Sequence, residues 1–154
     1  MLDRLDRSLQ NQGLYDLSPD RLWFAATEND IEGVLFGACE FGANNDWMKE
    51  FTEGSALPWM CGYSASVDWL TSTMIDLAVR QEMATLSPKR VRRTGAVVEA
   101  LASALSVFNP DHLIDDEPAA CIRHSVVLVA QSAGRGQRAH DLSDDLRTKA
   151  WPAP

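Results

Sequence analysis

One run of β-branched residues decides what kind of fold this chain can adopt: HSVVLVA, residues 124–130. Val126–Ala130 is five apolar residues long and no apolar run in the chain is longer, far short of the ~20 that a membrane-spanning helix requires. Its composition suits a buried strand. A strand, however, needs a neighbour to satisfy its backbone N–H and C=O groups, and no second segment reads convincingly as one. The run is therefore expected inside a helix over 118–134, opened by Pro118 and stopped at Gly134, with a strand as the alternative. On that reading every patterned segment is helical. The expected fold is all-α, a single compact domain over residues 1–154 with about six or seven helices built as helical hairpins.

The helical signals are mostly periodic apolar positions bounded by caps. Leu2, Leu5 and Leu9 mark a first amphipathic helix; Ser18-Pro19-Asp20 opens a short one through RLWFAAT; Ile31, Val34, Leu35, Ala38 and Phe41 share a face of a third, ending at Gly42. The polar connector ANNDWMKEFTEGSALP allows a helical turn around Trp47–Phe51. Val67, Leu70, Met74, Leu77 and Ala78 predict a helix from Ser66 to about Thr85, with Trp69 in its core pattern. Ser87-Pro88 then opens a helix of about 20 residues whose stripe is Val91, Gly95, Val98, Leu101, Ala102, Leu105 and Phe108. Ser143-Asp144-Asp145 caps a last short helix near Leu146.

Charge separates the acidic half 1–60 from the more neutral half 61–154. The net charge is −8, and before Met60 there are eleven acidic residues against four basic ones. Such a chain is repelled by nucleic acid and anionic membranes and attracted to basic proteins. The one basic cluster, KRVRR at 89–93, lacks interleaved aromatics and is fanned around Val91, which disfavours direct nucleic-acid binding. Placed in the first turns of a helix it opposes the dipole, so contact with the acidic half is its expected compensation.

The partner-binding candidates are Asp46, Trp47, Glu50 and Glu53, with Trp47 as an aromatic anchor in a polar segment, together with Glu28, Asp30 and Glu32. No cofactor or metal is expected. DHLIDDE at 111–117 collects oxygen and nitrogen ligands but matches no calcium-loop spacing, and it reads as a solvated acidic loop. Cys39, Cys61 and Cys121 are odd in number and set among apolar neighbours, the pattern of buried reduced thiols. The charged start MLDRLDRSLQ is not a secretory signal, and the expected compartment is the cytoplasm.

GYSAS at 62–66 approaches the pattern of a nucleophile elbow, and Asp115 and His140 follow Ser64 in the order Ser, Asp, His. The elbow needs a parallel sheet several strands wide, so Ser64 is expected instead in a turn between helices. RLWFAATENDIEGV and GSALPWMCGYSASVDWL, offset by 35 between Ala25-Ala26 and Met60-Cys61, resemble two copies of the helix–turn–helix unit of ankyrin repeats over residues 21–78. Gly33, Gly37 and Pro58 depart from that pattern, and no third copy follows. The resemblance implies helical hairpins. The charge asymmetry, with no complete catalytic or cofactor constellation, points instead to the expected function: a non-enzymatic protein-binding module of inhibitor or immunity type, whose acidic half docks on a basic, nucleic-acid-handling protein. The alternatives are a serine hydrolase using Ser64 and a homo-oligomeric scaffold built on the 91–108 stripe.

Overall fold

The computed structural model describes residues 24, 25, 28, 31–37, 40–116, 119–132 and 136–152. The expected helix at 2–9 and the cap at 18–20 lie outside the described residues; Phe24, Ala25 and Glu28 are helical.

The fold is not all-α. Strands β1 (Val34–Leu35), β2 (Trp59–Tyr63), β5 (Val126–Ala130) and β6 (His140–Asp141) form a four-stranded sheet in the order 1-2-5-6, and β3 (Leu113–Asp116) pairs with β4 (Ala119–Cys121) in a separate sheet. β1 runs parallel to β2; the other neighbours are antiparallel. The run that was expected to be helical is thus a central strand, paired along its whole length with WMCGY from Trp59↔Ala130 to Tyr63↔Val126. Pro58 conceals this partner in the sequence. It stands just before the first strand residue, where a missing N–H costs nothing, and its carbonyl accepts a 2.9 Å hydrogen bond from the Gln131 amide. Every residue of β2 and β5 is buried, so neither shows polar alternation.

The helices are α1 (Asn45–Ser55), α2 (Trp69–Ala84), α3 (Pro88–Val91), α4 (Thr94–Leu105), α5 (Ile122–Ser125) and α6 (Ser143–Ala150). They sandwich the sheet. Trp59, Cys61, Tyr63, Val126, Leu128 and Ala130 face a core shared with Ile75, Val79 and Met83 of α2, Leu101 and Leu105 of α4 and Leu146 of α6. The intervening Met60, Val127 and Val129 face a smaller core with Met48 and Phe51 of α1, Leu57 and Ala139, against which Val34, Phe36, Phe41 and Trp47 pack. The period of two sends successive side chains to opposite faces, and both faces are covered.

Other corrections follow from this sandwich. Where a helix was expected over 29–41, β1 lies in non-helical chain over 31–37, followed by a 3₁₀ turn at Phe41–Ala43. Gly33 lies so close to the Trp59 indole that a Cβ there would fall 1.9 Å from its ring, which explains a glycine that would only weaken a helix. The helix implied around Met60-Cys61 by the ankyrin resemblance is β2. DHLIDDE is not simply a loop, since Leu113–Asp116 within it is β3. The long helix from Pro88 breaks at Arg92-Arg93 into α3 and α4, with Val91, Val98, Leu101, Ala102 and Leu105 buried.

Candidate protein-docking face

α1 begins at Asn44, whose side chain accepts a 3.0 Å hydrogen bond from the Trp47 amide, and Asp46 complements the helix dipole in the first turn. Met48, Phe51, Thr52 and Ser55 turn inward. Asp46, Glu50 and Glu53, spaced four and three apart, share the opposite, exposed face. The inward face is firmly held. Gln131, at the end of β5, donates through Nε2 to the carbonyls of Thr52 at 2.8 Å and Leu57 at 3.0 Å, which ties the C-terminal end of α1 to the sheet.

Trp47 does not stand free as an anchor. Its ring meets Phe41 edge-on and Phe51 at a tilt, each at 4.9 Å between centroids, and Phe41 stacks on Phe36. It is half-buried and fixes α1 to the sheet rather than projecting from it. Glu28 is exposed and Asp30 lies outside the described residues. Glu32 is engaged internally, with its carboxylate 2.7 Å from Arg92 Nε and its side chain only 18% exposed. That pair is the compensation expected for the basic cluster; Arg90 additionally faces Glu99 at 3.9 Å.

Beside the acidic face an open groove of about 630 Å³ is lined by Lys49, Glu53, Arg138, Ala139, His140 and Asp141. Glu53 accepts from the Ala139 amide at 2.9 Å, and Lys49 approaches Asp46 at 3.6 Å. Burial pushes the Asp141 carboxyl pKa up, but hydrogen bonds from the Ser143 hydroxyl and amide and from Asn45, with Lys49 nearby, outweigh it and the net direction is down. Sequence reasoning missed this groove. Residues 138–141 meet α1 only because β6 pairs with β5.

Ser64 follows β2 directly, so a strand does precede it, but α2 starts only at Trp69, too late for a tight elbow. Its hydroxyl donates toward the carbonyls of His124 and Ser125, both at 3.2 Å. His140 pairs with Ala130, at the other end of β5 from Val126, a strand length of ~13 Å away. Ser64 and His140 are therefore not brought together. In DHLIDDE, Asp111 lies 3.4 Å from Arg123; among the described residues no three His, Cys, Asp or Glu side chains are grouped to hold a metal.

The sequence also concealed a polar cluster on the helical side of the sheet. The Tyr63 hydroxyl donates to Asp76 Oδ1 at 2.8 Å and reaches the Ser72 carbonyl at 3.3 Å. Cys61 lies on the same strand face, its thiol pushed up to about 12 first by burial and then by the Asp76 charge. Such a thiol stays protonated and unreactive.

No protein-family model, curated protein or solved structure matches the chain. Among the described residues no helix is long and apolar enough to cross a membrane.

Proposed function

We propose that the chain is a non-enzymatic protein-binding module of inhibitor or immunity type that docks on a basic, nucleic-acid-handling protein through the outward face of α1. The observation that carries this reading is the stripe of Asp46, Glu50 and Glu53 on a helix whose opposite face is locked into the core. A stripe on a fixed helix is pre-organised, so binding spends little on ordering its backbone. Its field, added to a net charge of −8, steers a basic partner and speeds encounter. The adjoining groove, with cations and carboxylates on its walls, suits polar side chains at the rim of such a contact. The proposed compartment is the cytoplasm, in keeping with Cys61 and Cys121 as free thiols.

The test is affinity capture from the native host's lysate at low and moderate salt, with the wild-type chain beside the variant Asp46→Lys, Glu50→Lys, Glu53→Lys. A basic protein held by wild type, weakened by salt and lost with the variant supports the reading. An identical set recovered by both chains removes the acidic face from the account.

A further inference from the structure

The outer surface of α2 carries Trp69, Leu70, Met74 and Leu77 at 77%, 55%, 54% and 60% exposure. Its inner surface, Ser72, Ile75, Val79 and Met83, already fills the core. These four side chains leave on the order of 500 Å² of apolar surface in one place, the size of patch that on a monomer is often functional. The spacing is ordered as well. Leu70, Met74 and Leu77 are exposed and follow one another by four and three residues, one heptad of the spacing that makes a seam between two helices.

We propose that α2 pairs antiparallel with α2 of a second copy across a two-fold axis near Met74. The seam is self-complementary in that arrangement. An axis near Met74 sets Leu70 of one copy opposite Leu77 of the other, twice, as an isologous interface demands. The flanks agree. Trp69 and Arg80 lie about 20° apart around the helix, at opposite ends of the seam, so the same axis brings each Arg80 guanidinium to the other copy's Trp69 ring, a favourable cation–π placement. Arg80 forms no ion pair with a described residue. Leu113, 53% exposed, lies next to Ile114, whose carbonyl accepts a 2.9 Å hydrogen bond from the Asp68 amide just before α2.

The pairing leaves the α1 face free, because α1 and α2 cover opposite faces of the sheet. A dimer therefore presents two acidic stripes, and two linked sites raise avidity without any new contact. Salt separates the two interactions. Two chains of −8 repel each other, so screening strengthens self-association while it weakens docking on a basic partner.

Sedimentation equilibrium of the full chain from about 10 µM to about 500 µM, at low and moderate salt, tests this. The expected mass rises from 17.0 kDa towards twice that value, more readily at moderate salt. Leu77→Glu should hold the mass at 17.0 kDa with an unchanged circular dichroism spectrum, since Leu77 supports no core contact. Met74→Cys should give a covalent dimer on oxidation well above the wild-type background, and Arg80→Cys should not. A constant 17.0 kDa throughout, a dimer that survives Leu77→Glu, or equal cross-linking at 74 and 80 would each overturn the proposal.

Discussion

The Tyr63 hydroxyl donates a 2.8 Å hydrogen bond to the Asp76 carboxylate, joining the last residue of β2 to the inner half of α2. Tyr63 is 1% exposed, so this contact satisfies a phenol that burial would otherwise leave without water. It also ties the end of β2 to the helical layer at the point where the chain leaves the sheet.

Tyr63→Phe keeps the ring and removes the donor. Asp76 is only half-buried and recovers some solvation, so the expected loss is about 2 kcal/mol. It should appear as a lower urea midpoint at unchanged slope.

High pH should destabilise the fold. Burial, the Asp76 hydrogen bond and its charge raise the Tyr63 hydroxyl pKa, and burial first and then Asp76 raise the Cys61 thiol from 9.0 to about 12. Both groups have folded values above their unfolded ones, so their contribution is complete below the unfolded pKa and is lost as pH rises towards the folded one. For Cys61 that window runs from 9.0 to about 12. Chemical denaturation across this range should show falling stability, and Cys61→Ala should flatten the decline. A thiol reagent at pH 8 should modify Cys61 only after unfolding.

The acid limb has a separate source. Asp68 caps α2, accepting from the Thr71 amide at 2.9 Å and the Leu70 amide at 3.1 Å, and hydrogen bonds from the Thr71 side chain and amide hold its carboxyl below the usual value of 3.8. A lowered folded pKa gives stability that is present above 3.8 and lost as pH falls through the folded value. Asp68→Ala should cost about 1 kcal/mol at neutral pH. Asp68→Asn should retain most of the cap while making the acid limb shallower in pH-dependent denaturation.

α1 ends in a strained residue. Ala56 has φ 55 in the left-handed region, with its amide bonded back to the Glu53 carbonyl. Glycine meets no Cβ penalty there, so Ala56→Gly should stabilise by about 0.5–1 kcal/mol, read as a higher thermal midpoint.

Much of the helical layer was legible. The Val91, Val98, Leu101, Ala102 and Leu105 stripe is the buried face of α3 and α4, and α2 falls within the predicted 66–85. The acidic stripe was legible too, because residues at 46, 50 and 53 share a face on any helix. Which face of α2 would be buried was not. Leu70, Met74 and Leu77 point outward and Ile75, Val79 and Met83 inward; a helix apolar on two sides satisfies the helical period either way.

By itself the sequence determined the charge asymmetry and the local periodicity, since these depend on composition and on residues within a turn or two of one another. The caps were only partly legible, because α2 is capped by Asp68 rather than started at Ser66 and α6 follows Leu142 rather than a Ser143 cap. Tertiary structure alone decided the sheet. Val126–Ala130 becomes a strand because Trp59–Tyr63, more than sixty residues earlier, supplies its backbone partners, and both strands are covered on two faces, so neither carries the alternation that would have announced it. Backbone satisfaction across such a separation is a property of the folded chain. It made Val126–Ala130 a strand where a helix was expected and brought residues 138–141 beside α1.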